Sequence, residues 1–469
     1  MLKFLYRVKF QKTDKIIMKT FNKTLWSVAL VMGLLLYSSC SSFVEGYAND
    51  PNEPTDVPES LLLPSAEIAT GLVYGTDLTW YSATFIQTQA GTARQMNAAS
   101  RYNVVATDVN NPWSWAYADA LMDLKQLKDK AVTNGNSHYV GAANVLTSLI
   151  LGILVDSFGD IPYSEALQGA DDPTPIYDDA AGVYTTIHNL LDEAISSFAA
   201  SSPVSPSTED LIYGGDVALW TKAAYALKAR YYLHTGDYAN AITAAGNGFS
   251  AGAEDMEMVY GTADPQEANP WYQFNTQRGD LSMHETFVDL LKSLNDPRLP
   301  FYATTDANGE YNGTNPDSPD PSASMIGAHY ASISSGLPLV TYTEQKFIEA
   351  EARFQTNDAA GALTALNAAV EASLTDVTGA SDPAFIANTV PGAASGLTLE
   401  SIMTHKYIAM FSQFESWTDI RRTNLPTITP YGGNAELPSR YPYPQRERDL
   451  NPDNVPAETG LFGKIFWDN

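Results

Sequence analysis

The segment from Leu397 to Pro426 constrains the fold more than any other stretch of the chain. Met403, Tyr407, Met410, Phe414 and Trp417 recur at alternating steps of four and three. That spacing predicts one continuous helix with a stripe of large side chains buried along one face. Arg421 and Arg422 fall in its last turn, where cations meet the negative end of the helix dipole, and Asn424 with Pro426 supply the stop. By itself, a paired arginine at a helix end reads equally as a solvated cap or as something more.

Other stretches repeat the helical period. It begins near Pro64, returns from Trp113 to Ala131, and becomes largely apolar from Tyr139 to Asp156, so that helix must be buried. Gly159 stops it and Pro162 prevents it from resuming, which places Asp160 and Tyr163 in a turn. Tyr184 to Ala200 is amphipathic. Leu219 to Thr235 is followed by a Gly236-Asp237 turn and a short helix in which Ala241 and Ala244 allow close approach. The pattern recurs at Glu344 to Gln355 and the NDAAGALTALNAAVEASL run after it. Helix, small turn, helix is the grammar of tetratricopeptide repeats, in which each pair buries a face on the next. The prediction is an all-α fold of degenerate tetratricopeptide-type helical repeats with long loop insertions and few short strands. Residues 303–338 and 376–397, rich in Gly, Pro, Ser, Asn and Asp, are the long insertions, and such segments tend to be binding loops.

The single cysteine, Cys40, excludes an intrachain disulfide and a cysteine-based zinc site. It follows a basic region with Lys19 and Lys23, an apolar run from Leu25 to Tyr37, and Ser38-Ser39, the order of a secretion signal. The apolar run is shorter than the roughly 20 residues a membrane-spanning helix needs. Residues 1–39 are expected to be a signal peptide, with 1–17 an upstream extension from a misassigned start. The cysteine sits as in a bacterial lipobox, although Tyr37 stands where that motif usually has Leu, and Cys40 is therefore the expected lipidation site. Residues 40–60, with Pro51, Pro54 and Pro58 among acidic side chains, read as a tether, leaving 61–469 as one helical domain. The chain carries a net charge of −27, and the first 39 residues hold seven of its 27 Lys and Arg but only one of its 54 Asp and Glu. So acidic a surface excludes nucleic acid and a polybasic membrane contact, and lipid is left as the only membrane attachment.

Enzyme signatures are missing: no G-x-S-x-G, S-x-x-K, H-E-x-x-H or phosphate loop occurs. The six histidines are scattered without metal-ligand spacing, and no metal, cofactor or catalytic residue is expected. Carboxylates are too abundant for any glycosidase-like pair to carry information. Aromatic residues in polar settings are more informative. Flat rings stack on sugar faces while amides, carboxylates and arginine forks bond hydroxyls. Trp113 and Trp271 each follow Asn-Pro and read equally as loop rings or core rings; Trp80 and Trp115, flanked by helical pattern, read first as core. Tyr272, Gln89, Arg94, Gln95 and Arg278 add polar groups that a core does not require. The candidate ligand-binding set is Trp271, Tyr272, Trp113, Arg94, Gln89, Trp80 and Arg278, for a neutral or weakly charged glycan.

Glu415, Trp417, Asp419, Arg421, Arg422 and Pro426, followed by Arg440, Tyr441, Pro442, Tyr443, Pro444, Glu447 and Asn451, together resemble the C-terminal signature of the SusD-like (SusD/RagB) outer-membrane lipoproteins. The resemblance is strongest to the branch whose helix reads K-Y-I-A-x-F and ends W-x-D-x-R-R-T. Phe158, Gly159, Asp160, Pro162 and Tyr163 match the same pattern, as do DPNEP, DLIYGGD, LNDPRLPFY and TYTEQKFIEAEA, so the likeness covers nearly all of the chain beyond Cys40. It implies a lipid-anchored protein on the cell exterior that captures nutrient, usually a glycan, and delivers it to a TonB-dependent SusC-type outer-membrane transporter. A peptide-binding member of that family and a surface helical-repeat adaptor whose ligand is another protein are the alternative readings.

Overall fold

In the computed structural model, residues 57–169, 172–457 and 460–468 are described. Expectations for the signal peptide, Cys40 and the tether as far as residue 56 lie outside them. The fold is all-α and tetratricopeptide-like, as the helical grammar predicts. It opens with α1 (Glu59–Gly75) and α2 (Asp77–Phe85), then a helical stretch that changes character along its length. Asn110–Ser114 is α-helical, Trp115–Leu121 is π-helical, and α3 (Met122–Asn134) resumes the ordinary pitch. Next comes α4 (Ser137–Phe158), long and apolar enough to cross a membrane but enclosed on all sides by the rest of the protein. Its Leu146, Leu149, Ile150 and Ile153 are core residues.

The paired helices follow. α5 (Ala180–Ala199) packs on α4, and α6 (Val217–His234) pairs with α7 (Tyr238–Ala245). After α8 (Pro270–Gln277), α9 (Tyr342–Gln355) pairs with α10 (Ala359–Thr378). Small residues decide how close these helices come. Ala229, Ala241, Ala244 and Ala352 bring α6, α7 and α9 together around Leu233 and Ile348. Part of the acidic excess is also explained locally: Asp179, Asp216, Asp237 and Asp358 cap the N-termini of α5, α6, α7 and α10 by accepting backbone N–H bonds. Each such cap contributes about 1 kcal/mol and places negative charge at the positive end of a helix dipole.

Strands are few and short. β1 (Gln89–Gly91) pairs antiparallel with β3 (Leu281–Met283), and β2 (Met256–Met258) with β4 (Leu337–Val340). The insertions at 303–338 and 376–397 include the short helices Ala328–Ala331 and Pro383–Thr389.

One expectation needs correcting. The large-residue stripe from Met403 to Trp417 is not on a single helix: α11 (Leu399–Ala409) ends before it is complete, and α12 (Glu415–Thr423) begins after a break. Ser412 in that break has a φ of 61°, a left-handed conformation no α-helix accommodates. The period survives across the break because Phe411 and Phe414 are also buried, so apolar spacing alone could not register it.

The end of α12 organises the core, since Trp417 is 0% exposed and its Nε1 donates to the Pro438 carbonyl at 2.8 Å. The Arg421 guanidinium is sandwiched between Trp417 (3.9 Å to the ring centroid) and Trp467 (4.6 Å), and its Nη1 donates to the backbone carbonyls of Asp156 (2.7 Å) and Ser439 (2.6 Å). Arg422 forks onto Glu351 at 2.9 and 3.0 Å and reaches Asp419 at 2.6 Å, while Lys406 holds Asp419 from α11 at 2.8 Å. The Tyr-Pro coil then locks onto the end of α4. Tyr441 N donates to the Ser157 carbonyl (2.8 Å), its hydroxyl to Leu78 O (2.6 Å), and the Tyr443 hydroxyl to Asp160 O (2.9 Å). These motifs, far apart in sequence, form one buried junction.

Candidate functional site

The β1–β3 pairing determines what meets at the surface above it. With Ala90 opposite Ser282, the residues just after β1 lie beside those just before β3, and Thr92 N donates to the Asp280 carbonyl at 2.8 Å. Arg94 and Gln95 are thereby brought to Arg278 and Asp280, about 185 positions on in the chain. Asp280 is buried and takes both arginines: Arg278 Nη2 donates to Oδ2 at 2.8 Å and Arg94 Nε at 2.9 Å. Gln95 Oε1 accepts from Arg278 at 2.7 Å. Arg278 is thus held in one orientation, with its guanidinium 5.9 Å from the Phe274 ring centroid.

Beside this fork opens a cleft of about 620 Å³. Asp77, Trp80 and Tyr81 line it from α2, and their i, i+3, i+4 spacing puts them on one helix face. Gln273, Phe274, Gln277 and Arg278 line it from α8 and its end, Gln95 from below, and Asp108, Asn111 and Trp115 from the opposite lip. Trp115 is the first residue of the π-helical stretch, and such local widening of a helix is frequent where side chains serve function. Trp80 and Trp115 are half-buried, so both keep ring surface to offer. Trp80 is fixed by Phe274 (4.3 Å between centroids), which also lines the cleft, and by the buried Trp271 (5.9 Å). Two carboxylates face the space. Burial pushes the Asp77 carboxyl up to about 6, the Asp108 charge adds to the rise, and Arg278 opposes it.

Burial separates the four tryptophans. Trp271 is 1% exposed and Trp113 6%, so neither has a ring face free for a ligand. Asn-Pro, which suggested loops, here marks helix starts. The Asn269 side chain accepts from Trp271 N (2.8 Å) and Tyr272 N (3.2 Å) as the N-cap of α8, with Pro270 in the first turn, and this turns Trp271 inward. Pro112 likewise lies in the first turn of Asn110–Ser114, and Trp113 packs edge-on against Phe158 at 5.1 Å. Gln89 is buried in β1, where Nε2 donates to Ser412 Oγ at 3.3 Å. Tyr272 is partly buried next to the cleft wall but is not part of its lining, and Arg94 supports Arg278 from outside it. Of the candidate set, Trp80 and Arg278 line the cleft. Sequence reasoning did not select Asp77, Asp108 or Asn111, which also line the cleft and which no local pattern flags.

A second polar cluster is a structural bridge. His234 Nε2 faces Glu415 Oε2 at 3.1 Å while Nδ1 faces Asp156 Oδ2 at 3.5 Å and the Tyr184 hydroxyl at 2.8 Å. The two carboxylates sit on different ring nitrogens, so the imidazole links them, whereas a shared metal ion would need both carboxylates on the side of one nitrogen. Burial raises Glu415, but Arg230, His234 and Lys406 outweigh it and bring its carboxyl down to about 2.

A SusD-like family model described as "Starch-binding associating with outer membrane" matches residues 51–444, most of the chain. The chain belongs to the SusD-like family. Among curated proteins none matches. Solved structures give the same fold. A SusD/RagB family protein from Bacteroides thetaiotaomicron VPI-5482 superposes with a TM-score of 0.71 at 22% identity, covering 88% of this chain and 99% of that one. A chitin-binding SusD homolog from Flavobacterium johnsoniae gives 0.74 at 20%, covering 88% and 98%. A chitin-binding protein gives 0.75 at 23%, covering 88% and 100%. The SusD-like signature that the C-terminal residues resemble is thus the buried junction around Trp417.

Proposed function

We propose that this SusD-like protein binds an oligosaccharide at the outer cell surface, held there by lipid on Cys40, and delivers it without chemical change to a SusC-type TonB-dependent transporter. The observation that carries the reading is the cleft itself. Two half-buried indoles from different helical elements line it, and amides and one oriented arginine share the lining with them. Indole faces stack on the apolar faces of sugar rings, and Asn111, Gln273, Gln277 and Arg278 are of the types that bond hydroxyls. The family description as starch-binding and the chitin-binding relatives support a glycan over a peptide or a protein partner. The strong acidity of the chain disfavours anionic polysaccharides by long-range repulsion.

Trp115→Ala is the direct test. Loss of a central aromatic anchor weakens binding by about 2 kcal/mol or more, roughly thirtyfold, in calorimetric titration with maltose- and chitin-type oligomers. Because Trp115 is half-buried on a lip, its melting temperature stays close to that of the parent. Unchanged affinity for every oligomer the parent binds would move the site elsewhere. The anchor has its own test. Cys40→Ser protein is expected in the soluble fraction of cells lacking the transporter partner, and retention in the membrane fraction would disprove lipid as the sole attachment.

A further inference from the structure

The charges around the cleft are unevenly matched. Of the charged groups in its lining, Arg278 is forked onto the buried Asp280, which also takes Arg94 from outside the cleft. Among the described residues, Asp108 Oδ2 accepts only the Val105 N–H, at 2.9 Å. The Asp77 carboxylate, at the start of α2, makes no hydrogen bond to the described residues and lies half-buried on the same face as Trp80. Water in the cleft is therefore the partner of this carboxylate in the free protein, and a ligand that enters must replace it on the face that offers the stacking ring. Resting on the glycan reading above, we propose that the cleft is specific for amine-bearing saccharides, such as oligomers containing free glucosamine, whose ammonium is taken by Asp77 with the Asp108 charge nearby while Trp80 and Trp115 stack the rings.

The alternative complement for Asp77, a hydroxyl of a neutral sugar, supplies a donor but leaves the charge uncompensated. An ammonium supplies donor and charge together, and a charge-assisted bond in a sheltered site is roughly twice as strong as a neutral one. The groups acting on Asp77 are few: Asp108 from the opposite lip, Arg278 from the end of α8, and the neutral phenols Tyr81 and Tyr441. Because burial and Asp108 raise the Asp77 carboxyl to about 6 in the free protein, amine binding weakens as the pH falls through that value and Asp77 takes up its proton. The same rise has a stability consequence. The folded state holds this proton more tightly than the unfolded chain, so ionised Asp77 costs stability as the pH climbs from about 4 towards 6, and Asp77→Asn melts higher than the parent at pH 7.5. A carboxylate that weakens the fold and is kept on the ligand face is a common mark of function.

The experiment titrates the protein with two matched probes, β-1,4-linked triglucosamine and its fully N-acetylated counterpart, with maltotriose as a neutral glucan, at pH 6.5, where both the amine and Asp77 carry charge, and at pH 5, where Asp77 is protonated. Triglucosamine is expected to bind at least about tenfold tighter than the acetylated trimer at pH 6.5, and the ratio is expected to shrink at pH 5 and in Asp77→Asn. If the neutral oligomers bind as well as triglucosamine, or the ratio survives in both Asp77→Asn and Asp108→Asn, amine specificity is overturned while the glycan reading stands. Should none of the three probes bind, both fall together.

Discussion

Trp417→Ala lowers the stability of the fold by about 3–5 kcal/mol, the range for deleting a large buried aromatic that leaves a cavity. The expected loss lies at the top of that range because more than packing disappears. The Trp417 ring packs on Phe85 (5.8 Å), Phe414 (5.5 Å) and Tyr441 (5.1 Å), and it forms one side of the sandwich around Arg421. Without it, Arg421 keeps its bonds to the Asp156 and Ser439 carbonyls but loses the surface that positions them. The Pro438 carbonyl loses its donor as well. Chemical denaturation followed by circular dichroism measures the change. A loss below about 1 kcal/mol, typical of a surface position, would refute the role of this ring as the centre of the junction.

Arg422→Ala is expected to cost as much by a different route. Glu351 is fully buried and Asp419 is 4% exposed, and the arginine holds both. Truncation leaves Asp419 with Lys406 and leaves Glu351 without its fork, and removing one partner from a buried ion pair typically costs about 3–5 kcal/mol. Arg422→Lys keeps the charge but lacks the planar fork that meets Glu351 with two parallel bonds, so it recovers only part of the loss. Glu351→Gln combined with Arg422→Met removes both charges and should be less damaging than Arg422→Ala alone. If the double variant is no more stable than the single one, buried charge is not the cause of the loss.

Much of the fold was legible because its signals are periodic. The apolar run of α4, the paired helices and the Gly236-Asp237 turn all follow from spacing. The break between α11 and α12 was not legible, since Ser412 interrupts a stretch whose large side chains remain buried on both sides. The C-terminal motif could be recognised from sequence, but the closing of its junction by the Tyr441 and Tyr443 hydroxyls on backbone near Leu78 and Asp160 could not. For the cleft, the structure brings together only some of the residues that composition singled out: Trp80 and Arg278 line it, and Trp271 and Trp113 are buried. Asn-Pro before Trp271 has a polar, loop-like look, yet Asn269 is a helix cap and the cap fixes the ring inside. Trp115 looked like a helical core residue, yet it begins the π-helical turn and lines the cleft, half-buried. Nothing local to Asp77 revealed its setting, because the arginine opposite it is about 200 residues away and arrives through the short β1–β3 pairing.

The central claim is that ligand sits between Trp80 and Trp115, above the Asp280-held arginine. The most direct measurement is a crystal structure of the protein with an oligosaccharide that titrates at micromolar affinity or better. The predicted result is a sugar ring stacked on Trp80 or Trp115 within about 4 Å, with hydroxyl or amine groups on Asp77, Gln273 or Arg278 and Trp271 still buried behind. A saccharide ordered instead on the 303–338 insertion, with the cleft holding only solvent, would contradict it.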